Sequence, residues 1–526
     1  MYRRSLLLGA AAVVAAPLAR PAIAGNAQTL VVVPQVALNS IDPVWTSSQI
    51  ARNMGFMVFD LLYGRDEQMN PRPQMVEGDR VEDDGRRWTL RLRENLWFHD
   101  GEPVRARDCV ASLKRWMVRD QGGVALSKRL DAMEAPDDRT IVLRLSKPFP
   151  HLRTLLSKFI QPAVMMPERL ALTDPYKQIP EAIGSGPFRW LASEHVVGSR
   201  AAFAKFDRYV PRDEKASYTA GGHRVFVDRV EWNMIPDGST AANALVTGEV
   251  DWIEIPLPDL LPMLKRSPGV RTGVLDTFGQ ICFVRPNHTQ GPTANPAIRR
   301  AMLAALDQDE VMAASFGSDP ENMFTGVGFL RTGKKEVDEA GMELVRTKYK
   351  PDQVKAMLDR AGYNGERIVL LHATDHWFFN PTASVVAHAL SAAGMNIDDQ
   401  AMDWATVQAR RTSREPLDKG GWSLFPSVVA APEHRDPLLA NFVRCNGKDA
   451  WFGWPSDPKI EQLYGDWLGL TDPAEQTRLE REYQVQAFET LPFIPLGGYR
   501  QTAAWRDSLT GVQKGPSIVF WDVRKG

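Results

Sequence analysis

Residues 88–112 read WTLRLRENLWFHDGEPVRARDCVAS, and this stretch combines a strand, a turn and the start of a helix. Apolar and polar residues alternate from Arg87 to Arg93, which predicts a half-exposed strand. The His-Asp-Gly triplet at 99–101 is typical of a turn, since aspartate and glycine favour turn backbones. From Arg105 to Val118 the apolar residues lie on one face of a helix. Thr140 to Ser146 repeats the alternation, so we expect a second half-exposed strand there.

Alternating helices and strands are predicted further along the chain. Leu30 to Val33 is a short apolar run ended by a proline, which indicates a buried first strand. The helical periodicity after Pro351 ends at a glycine, and Ile368 to Leu371 follows as a buried strand. Asn380-Pro381 is predicted to cap the next helix, and Met395 to Ile397 begins another strand. Because the joints are short, we expect a parallel crossover of the βαβ type.

Length and composition exclude several classes of protein. The chain has 526 residues, 44% of them hydrophobic and 24% charged, and a formal net charge of -1, so we expect about three domains or lobes. No basic face of nucleic-acid type is indicated, and neither a disordered chain nor a disulfide-stapled mini-domain fits. The cysteines Cys109, Cys282 and Cys445 allow at most one disulfide, whose pairing stays open, and their spacing matches no zinc site.

The first 24 residues predict export. A short cationic start with Arg3 and Arg4 precedes the apolar run Leu6–Leu18, and Ala22-Ile23-Ala24 forms a small-residue cleavage site. These are the three parts of a secretory signal peptide. The adjacent arginines fit the twin-arginine export route, with Sec export as the alternative. We therefore expect a periplasmic protein that is cleaved near Ala24.

The stretch at 88–112 resembles the signature of bacterial extracellular solute-binding proteins of family 5, the peptide- and nickel-type binding proteins of ABC importers. Further segments resemble the family in the same order along the chain. These are Gly184-Ser185-Gly186-Pro187-Phe188, Gly248-Glu249-Val250-Asp251, Asn295 to Asp307, Pro351 to Tyr363 and Phe493-Ile494-Pro495-Leu496. The resemblance spans nearly the whole chain after the signal peptide.

This resemblance implies an α/β fold: a two-lobed periplasmic-binding-protein clamp (type II, peptide-binding class) with an extra subdomain in the N-terminal lobe. The implied divisions are a signal peptide at 1–24, an N-terminal lobe at 25–279 with the subdomain at about 70–180, a second lobe at 280–491, and a C-terminal return to the N-terminal lobe at 492–526. Ligand sites in such folds lie beyond the carboxyl ends of strands and between domains.

The function implied is that of a periplasmic receptor that captures a peptide-sized or small-molecule solute by hinge closure. It would deliver the solute to an inner-membrane ABC permease with cytoplasmic ATPases. We expect a monomer that is not an enzyme, with no cofactor and no nucleic-acid partner.

The ligand contacts are predicted from departures from the family pattern. In dipeptide-binding members, an aspartate after a Gly-Trp pair holds the α-amino group, and an arginine before an aromatic-Asn-Pro run holds the carboxylate. Here Phe425 and Trp377 take those two places. Because a buried ligand charge needs a partner, we expect zwitterionic dipeptides to bind poorly and larger, less charged or aromatic-faced solutes to stack on indoles. The predicted ligand contacts are Trp45, Trp377, Trp422 and Phe425.

Each prediction has an alternative. The four aromatic residues also fit ordinary core packing. His372 and His376 have the spacing of a helical metal pair, but they follow a predicted strand, so no metal site is predicted. An exported hydrolase acting on an oligomeric substrate remains the competing function, although the chain contains no GxSxG, HExxH or P-loop motif. A periplasmic scaffold or chaperone of the same fold is a third possibility.

Overall fold

The computed structural model describes residues 28–317, 319 and 321–526. The predicted signal peptide and its cleavage site therefore lie outside the described residues. No helix in the described part of the chain combines the length and the apolar character that crossing a membrane requires.

The strands of the described residues group into two large sheets and several smaller ones. In chain order they are β1 (Thr29–Val33), β2 (Asp60–Leu61), β3 (Tyr63–Arg65), β4 (Pro71–Pro73), β5 (Val76–Glu82), β6 (Arg87–Leu92), β7 (Leu130–Asp137), β8 (Thr140–Leu145), β9 (Val164–Met165), β10 (Phe188–Trp190), β11 (Arg200–Lys205), β12 (Arg229–Asn233), β13 (Trp252–Ile253), β14 (Val270–Val274), β15 (Gln280–Pro286), β16 (Met323–Phe324), β17 (Ile368–Ala373), β18 (Ile397–Met402), β19 (Leu424–Ala430), β20 (Ile494–Tyr499), β21 (Thr502–Arg506), β22 (Leu509–Thr510) and β23 (Arg524–Lys525).

The α-helices lie between these strands. They are α1 (Gln49–Val58), α2 (Ala106–Arg119), α3 (Gln121–Ser127), α4 (Leu152–Leu156), α5 (Glu168–Ala171), α6 (Gly238–Thr247), α7 (Leu261–Arg266), α8 (Pro296–Ala305), α9 (Gln308–Phe316), α10 (Lys335–Asp338), α11 (Glu343–Arg346), α12 (Pro351–Arg360), α13 (Phe379–Ala392), α14 (Trp404–Arg410), α15 (Pro458–Trp467) and α16 (Pro473–Thr490).

The first lobe is built on a seven-stranded sheet with the order β10-β11-β12-β1-β13-β21-β14. β1 lies at its centre and pairs in parallel with β12 on one side and β13 on the other. The remaining pairs in this sheet are antiparallel. The central strand is apolar because it is covered on both faces, as a parallel strand in an α/β layer must be.

The second lobe is built on a six-stranded sheet with the order β16-β20-β15-β19-β17-β18. β17 pairs in parallel with β18 along its whole length, starting at Ile368 opposite Ile397, and α13 connects the two strands. The parallel crossover predicted from the sequence is therefore confirmed. The six residues of β17 are all buried, which explains the continuous apolar run.

A separate four-stranded sheet, with the order β5-β6-β8-β7, contains the stretch that opens at Trp88. β6 and β8 are the two alternating strands predicted from the sequence, and they pair antiparallel with Trp88 opposite Leu143. α2 follows one residue later than predicted, and its Asp108 carboxylate accepts a hydrogen bond from the Arg105 N–H at 2.8 Å. This sheet lies within the predicted subdomain range of about 70–180.

The chain crosses between the two large sheets twice. The first crossing lies at 275–279, between β14 and β15. The second sheet includes β20, which pairs with β15, and β21 belongs to the first sheet, so the strand order places the second crossing at Arg500 and Gln501. The lobe divisions given from the sequence, at 279 and 491, stay predictions. The two crossings lie side by side: Arg500 Nε of the second donates a hydrogen bond to the Thr277 carbonyl of the first at 3.0 Å.

Candidate functional site

A chamber of about 320 Å³ lies at one edge of the first sheet. The parallel strands β12, β1 and β13 all end at this edge, and the segments that follow them line the chamber at 34–36, 234–236 and 255–257. The carboxyl ends of parallel strands are the usual ligand positions in open α/β sheets, because the chain must turn there and leaves a crevice.

The second lobe closes the chamber from the other side. The chain leaves β17 at Ala373, and Asp375, His376 and Trp377 then line the same chamber. Trp377 also borders an adjoining chamber of about 50 Å³, together with Tyr499 from the end of β20. Parallel strands of both lobes thus direct their carboxyl ends at one cavity. We call this cavity the cleft chamber.

A buried carboxylate holds the first-lobe wall in place. Glu254 follows β13, and one of its oxygens accepts a hydrogen bond from the Gln35 backbone N–H at 2.9 Å. The other oxygen accepts from Asn53 Nδ2 at 2.9 Å and from Gln49 Nε2 at 3.3 Å. Burial raises the pKa of Glu254. Because its partners come from α1 and from the 34–36 segment, Glu254 fixes the position of that segment.

Aromatic rings hold Trp377 in the second-lobe wall. The Trp377 ring stands nearly perpendicular to Tyr499, at 5.7 Å and 87°, and to Phe316, at 6.2 Å and 73°. Phe378 stacks on both of these rings, at 4.9 Å from Phe316 and 4.8 Å from Tyr499. These edge-to-face and stacked arrangements are favourable for aromatic pairs. They present a half-buried indole to the chamber in a fixed orientation.

The charge of the chamber wall comes from a short segment of the second lobe. Asp375 is exposed, and its Oδ1 accepts a hydrogen bond from the Trp404 backbone N–H at 2.8 Å. Burial lowers the pKa of His376 to about 4, although the neighbouring Asp375 acts in the opposite direction. At neutral pH His376 is therefore an uncharged ring beside a carboxylate.

The depressed pKa of His376 predicts sensitivity to acid. The unfolded chain binds a proton at His376 below about pH 6.5, whereas the folded protein does so only near pH 4. The free energy of unfolding should therefore fall between these values, by at most about 1.4 kcal/mol per pH unit from this group. His376→Phe should lose less free energy of unfolding than the wild type between pH 7 and pH 4.5, as measured by urea denaturation at the two pH values. If the free energies of unfolding of the wild type and the variant differ by the same amount at both pH values, the depressed pKa of His376 is contradicted.

The structure places the four predicted ligand contacts in different surroundings. Trp377 lines the cleft chamber. Trp45 is half-buried and lines none of the described cavities. Its Nε1 donates to the Tyr176 carbonyl at 3.2 Å, and its own carbonyl accepts from Arg119 at 2.9 Å. These bonds connect Trp45, which lies in the segment before α1, to Tyr176 and to the end of α2. Its role as a ligand contact stays a prediction.

Trp422 and Phe425 lie in the core of the second lobe. Both are 0% exposed, and their rings contact each other at 5.0 Å. Trp454 packs against Trp422 at 5.9 Å. Buried rings in contact with each other pack the core, so we expect these two residues to stabilise the lobe. Their role as ligand contacts also stays a prediction.

The histidine pair has a structural explanation. His372 lies in β17, where Nδ1 is 2.9 Å from Asp399 Oδ1 and Nε2 is 2.8 Å from Asn380 Oδ1. Both ring nitrogens therefore have partners, while His376 lies beyond the strand end. The same contact corrects the predicted role of Asn380: α13 begins at Phe379, so Asn380 lies in its first turn and bonds to His372 instead of capping the helix.

The three cysteines are buried free thiols. Burial raises the pKa of each of them, which keeps them protonated and unreactive at neutral pH. The sequence left open which two cysteines could form a disulfide, and in this structure all three are free.

The first-lobe wall and Asp375 were not predicted from the sequence. The wall comes from three segments, the first and last of which lie more than two hundred residues apart, and they meet only because β1 pairs with both β12 and β13. The one local signal was Pro34 directly after an apolar strand. Asp375 follows a predicted strand, but sequence alone does not show which lobe faces it.

Comparisons with known proteins agree with this architecture. A family model described as "Bacterial extracellular solute-binding proteins, family 5 Middle" matches residues 70–448. The chain is 34% identical over 491 residues to the "Probable peptide ABC transporter periplasmic-binding protein y4tO" of Sinorhizobium fredii (strain NBRC 101917 / NGR234), covering 93% of this chain and 92% of the relative.

Two solved structures share the fold at low sequence identity. The PBP AgaA in complex with agropinic acid, from A.tumefacien R10, is 20% identical, with a TM-score of 0.77, and the match covers 95% of this chain and 99% of that one. The dipeptide binding protein from Pseudoalteromonas sp. SM9913 in complex with Met-Leu is 17% identical, with a TM-score of 0.78, and the match covers 95% of this chain and 100% of that one.

Proposed function

The chain belongs to the bacterial extracellular solute-binding proteins of family 5, and from this premise we propose that it is the periplasmic receptor of an ABC importer. It captures a peptide-sized solute between its two lobes and delivers it to an inner-membrane permease with cytoplasmic ATPases. The receptor itself catalyses no reaction. Proteins of this family are substrate-binding transport proteins, and the relative in Sinorhizobium fredii is described as a peptide ABC transporter component.

The observation that carries this proposal is the cleft chamber. Its walls come from both lobes, so a solute bound there contacts both and stabilises their closed arrangement. Val36 and Leu257 line the chamber and are each 42% exposed, so two apolar side chains of the first lobe face it uncovered. A solute with an apolar or aromatic body would cover this surface.

The connections between the lobes support a hinge. The two crossings at 275–279 and 500–501 are adjacent, so a rotation there would open the cleft without breaking either sheet. Away from the crossings, a few polar contacts join the lobes within the described part of the chain, and in one of them Arg129 donates to the Gly465 carbonyl at 2.9 Å. Glu433 accepts from the N–H groups of Phe159 and Ile160, both at 3.4 Å, and Arg435 donates to the Gln68 carbonyl at 2.6 Å.

A panel of solutes tests the receptor function. The mature form from Gly25 is heated with dipeptides, longer peptides, oligosaccharides, opine-like conjugates and nickel chelates, and the midpoint of unfolding is measured. Binding to the folded state alone adds about 2.7 kcal/mol at a hundredfold excess over the dissociation constant, which is enough to detect. A shift of the midpoint with uncharged or aromatic-stacking solutes and none with free dipeptides supports a pocket in which Trp377 and Phe425 replace the charged ligand contacts.

The panel also separates the alternatives. A bound solute recovered unchanged by mass spectrometry agrees with a receptor, whereas a cleaved solute would favour the exported hydrolase. If no solute shifts the midpoint, the receptor proposal is contradicted in favour of a scaffold of the same fold. The proposed export is tested by the mass of the periplasmic protein, which should begin after Ala24.

A further inference from the structure

We infer that the cleft chamber is a subsite for a cation: a protonated amine of the solute pairs with Asp375 and lies on the indole of Trp377. This inference rests on the proposed receptor function and specifies the class of solute. The preferred solute has an apolar body and an amine, and it carries no free carboxylate at this end.

The first step is the charge of the chamber. The described residues that line it are mostly apolar or proline, and Asp375 is the one among them with a charged side chain at neutral pH. One oxygen of Asp375 accepts a hydrogen bond from the Trp404 N–H, which holds the carboxylate at the chamber wall. Its second oxygen would accept from the amine of the solute. A carboxylate in a chamber without a lining cation favours a positively charged ligand group.

The second step is the position of Trp377. Its indole lines the same wall as Asp375, two residues later in the chain. An indole has no positive charge to pair with an anion, but its face attracts ammonium and guanidinium groups. Together the two side chains favour a cation at this wall.

The third step concerns two arginines of the same region. Arg500 borders the adjoining chamber, where its Nε donates to the Thr277 carbonyl and its guanidinium lies 4.9 Å from the Phe324 ring. Arg411 lies 5.5 Å from the Trp404 ring and 4.8 Å from the Phe452 ring. Neither arginine lines the cleft chamber, so neither changes the charge of its wall.

The body of the solute would contact the first-lobe wall. Ile255, Ile235 and Val36 face the chamber without a charged group among them. An apolar side chain of the solute placed here would be desolvated, which strengthens the pairing of its amine with Asp375. The chamber therefore distinguishes an apolar amine from a neutral analogue of the same shape.

Three matched solutes test this inference by titration calorimetry on the mature protein. They are leucyl-phenylalanine amide, which carries one positive charge, its N-acetyl derivative, which is neutral, and N-acetyl-leucyl-phenylalanine, which carries one negative charge. We expect the amine to bind about tenfold more tightly than the neutral analogue, as a cation–π contact and an ion pair together allow, and the acid to bind most weakly.

Asp375→Asn is the decisive variant, because asparagine keeps the acceptor for the Trp404 N–H and removes the charge. It should lose the preference for the amine and still bind the neutral analogue as the wild type does. Asp352→Asn, an exposed acid in the first turn of α12, is the matched control and should retain the preference.

The outcomes separate this inference from the proposed function. If the wild type binds the amine and the neutral analogue equally, or if Asp375→Asn keeps the preference, the cation subsite is contradicted while the cleft receptor stands. If none of the three solutes binds, the subsite is contradicted as well, and the thermal panel alone decides the receptor function.

Discussion

Trp377→Ala is expected to weaken binding of the solute selected by the thermal panel by at least about thirtyfold, which corresponds to about 2 kcal/mol for a tryptophan anchor that the solute covers. The physical reason is that Trp377 is the aromatic residue of the second lobe that lines the cleft chamber, and three rings hold it in place. Its removal leaves the apolar solute without a second-lobe surface. Titration calorimetry measures the change.

Trp97→Ala is the matched control for this experiment. Trp97 is a half-buried indole of the first lobe with Arg208 at 3.7 Å from its ring, and it lines none of the described cavities. Its replacement should change the stability and leave the affinity within about twofold, since removing a residue that does not touch the solute has little effect on binding. Equal losses of affinity in both variants would mean that the solute does not bind at Trp377.

Asp42→Ala is expected to lower the free energy of unfolding by about 3–5 kcal/mol, because it leaves a buried guanidinium without its partner. The side chains of Asp42 and Arg115 are 0% and 1% exposed, and their closest atoms are 2.7 Å apart. Asp42 also accepts the N–H groups of Val44 and Trp45, at 3.1 and 3.2 Å. It thus connects the loop after β1 to α2, and urea denaturation measures the loss.

An exposed ion pair provides the control for Asp42. Lys355 and Asp359 lie one turn apart on α12, with side chains 64% and 61% exposed. Asp359→Ala should cost at most about 0.5 kcal/mol, because exposed helical pairs contribute little. If Asp42→Ala costs no more than Asp359→Ala, the buried pair does not stabilise the first lobe in this way.

The elements that could be predicted from the sequence are those with a local cause. β6 and β8 alternate because one face is exposed, and β17 is a continuous apolar run because both faces are covered. α8 begins at Pro296 because the Asn295 side chain accepts the Ala297 N–H at 2.9 Å. In each case the residues that determine the element lie within a few positions of it.

The candidate site could be predicted only in part, because its residues are brought together by strand pairing. Trp377 and Trp422 look alike in the sequence, since both are tryptophans in segments that are matched to the family's ligand contacts. Trp377 follows the carboxyl end of β17 and faces the other lobe, whereas Trp422 precedes β19, a strand in the middle of the sheet, and packs on Trp454. The position of each tryptophan relative to the sheet, and not its residue type, determines whether it lines the chamber or packs in the core.

A crystal structure of the mature protein with the solute selected by the panel would test the central claim most directly. Our account predicts density for the solute in the cleft chamber, in contact with Trp377 from the second lobe and with residues 34–36 or 255–257 from the first. Density for the solute outside the space between the lobes, with the cleft chamber unchanged, would contradict it.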